Sequence, residues 1–198
     1  MSKLEFLKYY PVPHETFLKL SEYVEILLKW NSKINLISRN SEDDIWIRHM
    51  LDSAQVARFI NKPQKILDIG SGAGFPGMVL SILGVDDVTL LDSDQRKCSF
   101  LLEVARLLQL KLTVINDRVE NICDKKFDVV TTRGFSSIDK VLECVDVIQT
   151  NRILLLKGKN YELELQEALQ KWDFEYITYP SVTDFSSHIV DITNVRKK

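Results

Sequence analysis

From Lys65 to Gly77 the chain reads KILDIGSGAGFPG, a short apolar strand that ends in Asp68 and turns through Gly70, Gly72 and Gly74 before a helix begins. Glycines bend the backbone through positive φ and approach a ligand more closely than a Cβ would allow, so a nucleotide-like cofactor is expected in this loop. A second apolar strand, Val88 to Asp92, ends in a carboxylate roughly 20 residues later, the spacing at which such an acid reaches a ribose diol.

The loop admits two cofactors. Gly72, Gly74 and Gly77 satisfy the G-x-G-x-x-G dinucleotide pattern, although Phe75 and Pro76 crowd a turn that must face a pyrophosphate. Read from Asp68 as D-x-G-x-G-x-G, the same residues match the loop of S-adenosylmethionine-dependent methyltransferases. No phosphate then needs a cradle, Asp68 orients the loop or meets the cofactor's ammonium, and Phe75 packs near its apolar or sulfonium portion.

After Lys65, β-rich runs alternate with amphipathic stretches: Ile66–Ile69, Val88–Asp92, Leu112–Ile115, Phe127–Thr132 and Arg152–Lys157, with helical stripes over Gln95–Leu110 and Tyr161–Lys171. Such alternation implies a parallel sheet covered by helices on both faces. Phe174–Tyr179 and His188–Thr193 predict a closing antiparallel pair at the sheet edge. Residues 1–62 instead carry helical periodicity. Phe17, Leu20, Val24 and Leu27 mark one helix, and Glu42 to Ile60 a second, stopped by Asn61-Lys62-Pro63. About 60 residues is marginal for independent folding, so 1–62 is expected to be a helical extension packed on a sheet domain of residues 63–198.

On the second predicted helix, Ile45, His49, Asp52, Val56 and Phe59 share a face, which places His49 beside Asp52 as a buried hydrogen-bonded pair or as part of a substrate pocket. Trp30 is placed either in the seam between the helices and the sheet or against substrate, with Asn31 and Asn35 in the following turn and Asn35 as a cap. Glu162, Glu164 and Glu167 read as a solvated helix face, and Arg196-Lys197-Lys198 as a solvated tail.

The 198 residues are 45% hydrophobic, with 26 basic against 28 acidic side chains, so an RNA partner would have to meet a local patch rather than a uniformly cationic surface. Arg96 and Lys97 fall in the first turn of a helix, where cations oppose the dipole unless something anionic is near. Lys157 ends one parallel strand and Arg133 follows another at the carboxyl edge, where ligands bind in open α/β sheets. Cys98, Cys123 and Cys144 lack C-x-x-C pairing and read as reduced thiols, no metal-ligand set is spaced in the sequence, and no secretory h-region or membrane-length apolar run occurs, so a cytoplasmic protein is expected.

Seven segments then occur together: Trp30-Asn31 with Asn35-Leu36, Arg48-His49-Met50-Leu51-Asp52-Ser53, the glycine loop with its G-F-P-G, Leu91-Asp92-Ser93, Arg118-Val119-Glu120, Thr132-Arg133-Gly134-Phe135 and Leu156-Lys157-Gly158. In this combination the chain resembles the bacterial ribosomal RNA small subunit methyltransferase G family, also called glucose-inhibited division protein B. The resemblance implies a class I, Rossmann-like methyltransferase fold with a mostly parallel seven-stranded sheet and an N-terminal helical extension. It implies methylation of guanine N7 in 16S ribosomal RNA, with S-adenosylmethionine as cofactor and the RNA or the small subunit as partner; a monomer is the default expectation, and no metal is expected. Carried over by position, Gly70, Gly72, Phe75, Asp92, Ser93, Val119, Glu120 and Arg133 would contact the cofactor. Arg96, Lys97, Arg118 and Lys157 would meet RNA, and Arg133 and Lys157 would act at the reacting base. A nicotinamide-dependent oxidoreductase and a catalytically silent RNA-binding factor are the competing readings. The chain after Val119 is short for the separate substrate domain that the first of these needs.

Overall fold

The computed structural model describes residues 3–61, 63–123 and 125–198. Seven strands form one sheet: β1 (Lys65–Ile69), β2 (Asp87–Asp92), β3 (Thr113–Asn116), β4 (Val129–Arg133), β5 (Arg152–Lys157), β6 (Trp172–Pro180) and β7 (His188–Lys197). Their order across the sheet is β3-β2-β1-β4-β5-β7-β6. The first five are parallel, and β7 runs antiparallel between β5 and β6. Chain order reverses direction between β1 and β4, and in open α/β sheets the ligand crevice lies outside the carboxyl ends of strands at such a switch point.

Helices α1 (Lys3–Tyr9), α2 (His14–Asn31), α3 (Gly77–Ile82), α4 (Gln95–Leu107), α5 (Ile138–Val145) and α6 (Tyr161–Lys171) cover the sheet. The strands are apolar on both faces because both are covered. In β5, Leu154 and Leu156 join the core containing Leu20, Leu80 and Phe100, while Ile153 and Leu155 join the core containing Ile138, Leu165 and Trp172. Residues 3–61 share the first of these cores. Tyr23 and Trp30 of α2 pack on Phe100 of α4 with ring centroids 6.5 and 5.7 Å apart, which places Trp30 in the seam.

Three expectations need correction. The segment Glu42–Ile60 is not one regular helix: it takes a π turn over Trp46–Leu51, a short α turn over Asp52–Ala54 and a 3₁₀ turn over Gln55–Phe59. A π turn carries an extra residue, so the α spacing that set His49 beside Asp52 does not apply. Lys62, within the expected stop, lies outside the described residues. Arg196, Lys197 and Lys198 are exposed as expected, but Arg196 and Lys197 belong to β7 rather than to a tail, with Lys197 Nζ 5.6 Å from the Trp172 ring centre, and the Lys198 N–H donates to Lys171 O. The turn after α2 is capped by Asn31, not Asn35: Asn31 Oδ1 accepts from the N–H groups of Leu36 and Ile37, and its Nδ2 donates to Glu42 Oε1.

Candidate active site

The loop after β1 is held by two carboxylates. Asp92, ending β2, accepts from Gly72 N–H through Oδ2 and from Asp94 N–H through Oδ1, each at 2.8 Å, which ties the glycine loop to the start of α4. Asp68, ending β1, accepts from Gly77 N–H at 3.1 Å. A Cβ at Gly77 would stand 2.8 Å from the Asp68 Cβ, so only glycine lets this backbone come so near. Asp68 is fully buried, its Oδ1 has no hydrogen-bond partner, and burial pushes its pKa up to about 7. Gly70 has φ +64°, and a Cβ there would collide with the Phe135 ring.

A cavity of about 490 Å³ opens beside this loop. Gly70, Asp92, Ser93, Val119 and Glu120, predicted from sequence as cofactor contacts, come together on its walls. Lys97 and Arg118, predicted for RNA, line the same cavity, and so does Phe135, to which no sequence role was attached. The chemistry suits an adenosine. Ile69, Leu91, Val119 and Phe135 offer apolar walls for a flat base, and Asp92 and Glu120 offer acceptors for hydroxyls. Gly72 acts from behind the wall through its bond to Asp92. Phe75, also expected at the cofactor, does not line this cavity: it is 3% exposed and packed between Tyr23 and His49, with centroids 5.7 and 4.9 Å away.

A second cavity, about 420 Å³, lies on the far side of Gly134, which belongs to both walls. Arg133 enters this second cavity and not the first. Its Nη1 donates to Arg48 O at 2.7 Å and stands 3.4 Å from Asp52 Oδ2, its Nη2 donates to His49 Nδ1 at 2.7 Å, and its guanidinium lies 4.7 Å from the Phe75 ring centre. His49 and Asp52 do not bond each other; Arg133 stands between them. Burial, reinforced by the Arg133 and Arg48 charges, lowers the His49 pKa to about 3. The ring is therefore neutral, and since a guanidinium can only donate, Nδ1 accepts and Nε2 carries the hydrogen. That Nε2 is buried without a partner, as is Nδ1 of His188 on the same cavity. Asp52 Oδ1 also accepts from Gln55 Nε2 at 2.9 Å and Thr183 Oγ1 at 3.0 Å; burial raises its pKa against the pull of Arg133.

Lys157 lines this cavity, yet its ammonium is already engaged. Nζ pairs with Glu164 Oε2 at 2.8 Å and donates to Ser136 O, leaving the side chain 9% exposed. Glu164 Oε2 accepts from Ile138 N–H as well, at 2.9 Å, so Glu164 joins β5, α5 and α6 rather than facing solvent with Glu162 and Glu167. The anion beside Arg96 is its own helix cap: Asp94 Oδ2 lies 3.0 Å from Arg96 Nη2. Arg96 and Lys97 border a small cleft with Lys33 and Asn35. Cys98 is buried and Cys123 exposed, and all three cysteines are free. Among the described residues no helix is long and apolar enough to cross a membrane.

A family model described as rRNA small subunit methyltransferase G matches residues 17–193. The chain is 45% identical over 185 residues to Ribosomal RNA small subunit methyltransferase G of Orientia tsutsugamushi (strain Ikeda), covering 92% of this chain and 93% of that protein. It is 42% identical over 188 residues to the protein of the same name in Rickettsia bellii (strain OSU 85-389), covering 94% and 97%. Solved structures share the fold at low identity. Magnesium protoporphyrin IX methyltransferase from Synechocystis PCC 6803 with bound SAM superposes with TM-score 0.63 at 15% identity, over 93% of this chain and 99% of that one. The 16S rRNA methylase RmtB gives 0.57 at 16%, over 89% and 74%.

Proposed function

We propose that this chain, which belongs to the rRNA small subunit methyltransferase G family, transfers a methyl group from S-adenosylmethionine to N7 of a guanine in the 16S RNA of the small ribosomal subunit. The observation that carries the reading is the meeting of two cavities at Gly134, on the carboxyl edge of the parallel strands. The first suits a nucleoside with a sugar diol. The second, lined by Arg48, His49, Asp52, Arg133 and His188, suits a flat polar base.

Bound in the first cavity, S-adenosylmethionine supplies an electrophilic methyl group on its sulfonium. Asp92 and Glu120 accept from hydroxyls there, while Ile69, Leu91, Val119 and Phe135 exclude water from the base. Guanine N7 presents an in-plane lone pair and carries no proton, so no residue has to act as a base, and a histidine whose pKa is about 3 is consistent with that. The work left to the protein is orientation, worth up to roughly 7 to 11 kcal/mol where attack geometry is enforced. His49 lines the second cavity, and Arg133 holds its ring at Nδ1, so the imidazole is fixed as part of the wall against which a purine would be oriented. Asp52 balances the Arg133 charge, so a purine that becomes cationic does not face an uncompensated guanidinium.

Arg133 thus acts as a positioning residue through His49, and Lys157 shapes the cavity from its pair with Glu164. Lys33, Arg96 and Lys97 supply a cationic spot for RNA phosphate, with Arg118 at the mouth of the cofactor cavity. The chain works as a monomer in the cytoplasm. Two assays test the reading. S-adenosylhomocysteine, and not NADH, is expected to raise the thermal midpoint, and small subunits from cells lacking the protein are expected to gain labelled N7-methylguanine when incubated with the enzyme and labelled cofactor. Label elsewhere, or none, overturns it.

A further inference from the structure

Phe185 is 98% exposed, on the loop between β6 and β7 whose flanking residues Thr183, Asp184, Ser187 and His188 line the second cavity. The loop is stiff. Ser181 N–H donates to Ser187 O and Ser187 N–H to Asp184 O, each at 2.9 Å, which closes its base, and Asp184 Oδ1 accepts from Ser186 N–H at 2.8 Å. Its outer arm is bonded to the segment that anchors Arg133: Val182 N–H donates to Gln55 Oε1 at 3.0 Å and Thr183 Oγ1 to Asp52 Oδ1 at 3.0 Å. A large ring is therefore presented to water from a braced backbone at the rim of the site, where it contributes nothing to the core. Arg48, whose backbone carbonyl holds Arg133, also lines this cavity, and its charge acts on Asp184.

We infer that Phe185 is a stacking platform for an unpaired base of the RNA next to the target guanine. The inference rests on the reading of the second cavity as the guanine site. Single-stranded bases are held on exposed aromatic faces in this way, and a braced loop loses little entropy on binding. A second copy of this chain is a poor occupant, since one phenyl ring buries about 150 to 250 Å² and a stable dimer needs about 800 Å² from each partner.

The test compares Phe185→Ala, Phe185→Leu and Phe185→Trp with the parent enzyme, on small subunits from cells lacking it. Phe185→Ala should raise KM for the subunit about 5- to 150-fold with kcat unchanged, the range that loss of one base–aromatic stack produces. Phe185→Leu should fail in the same way, and Phe185→Trp should restore KM. Thermal midpoint and S-adenosylhomocysteine affinity should match the parent, because the ring packs on nothing. On subunits rebuilt with an abasic nucleotide beside the target guanine, the parent should lose the same factor and Phe185→Ala should lose no more. A parent-like KM for Phe185→Ala, a parent-like KM for Phe185→Leu, or an abasic penalty that adds to that of Phe185→Ala overturns the inference. Failure of the parent to methylate at all would instead overturn the reading beneath it.

Discussion

Arg133 and His49 meet edge to edge, Nη2 to Nδ1 at 2.7 Å, over one face of Phe75. The guanidinium fixes the tautomer of the imidazole, and the phenyl ring fixes the height of both. A lysine at 133 cannot reach Arg48 O, Asp52 and His49 together from one ammonium. Arg133→Lys is expected to lower kcat by about 10- to 100-fold, the scale of a small misplacement of the acceptor. Calorimetric titration with S-adenosylhomocysteine should show little change in affinity, since Arg133 stays outside that cavity.

Asp92 serves both the glycine loop and the start of α4, and it lines the cavity proposed for the cofactor. Asp92→Asn keeps the shape but turns one acceptor into a donor, so either Gly72 N–H or Asp94 N–H faces an N–H. Affinity for S-adenosylhomocysteine is expected to fall at least about tenfold, or about 1.4 kcal/mol. A titration within about twofold of the parent would refute its role at the sugar.

Glu164 takes both the Lys157 ammonium and the Ile138 N–H. Removing it by Glu164→Ala leaves a nearly buried cation and a helix N–H without an acceptor, at a cost of about 2 to 4 kcal/mol in urea unfolding. Glu167→Ala, on the exposed face of the same helix, should stay within about 0.5 kcal/mol.

Two buried groups pull the pH dependence of stability in opposite directions. Asp68 keeps its proton to about pH 7 in the folded chain but releases it near 3.8 when unfolded, so stability falls as pH rises through that window. His49 stays neutral to about pH 3 when folded but takes a proton near 6.5 when unfolded, so its contribution is complete above 6.5 and is lost as pH falls towards 3. In urea titrations, Asp68→Asn should therefore gain on the parent as pH rises from about 4 to 7, and His49→Gln should gain as pH falls below about 6.5. Parallel curves for either variant would contradict the assigned burial.

The sheet was legible because its strands are local runs: Arg152–Lys157 and Tyr161–Lys171 coincide with β5 and α6 to the residue. The predicted strand Phe127–Thr132 corresponds to β4, and the final antiparallel pair is present as β6 and β7. The grouping around the first cavity was legible too, since Gly70 and Glu120 follow, and Asp92 ends, parallel strands that reach one edge of the sheet. The second cavity was not. Arg133 meets His49 and Asp52 across 84 and 81 residues, and Lys157 meets Glu164 across a turn, so nothing in local spacing distinguishes these pairs from free cations and a solvated acid. Helix α1 and the π turn escaped for a different reason: both are set by packing of Phe6 and Trp46, whose rings lie 5.4 Å apart, rather than by a regular period.

Gly134 borders both cavities, so the partition between them is there a stretch of main chain. One inhibitor carrying an adenosine and a guanine on a short tether could occupy both compartments at once, and its second half would then dock at the high effective concentration set by that tether. Gly134 has φ +64°, so a larger residue there would strain the very strand of backbone that divides the compartments, and the tether has to be fitted to this glycine rather than the glycine altered to suit the tether.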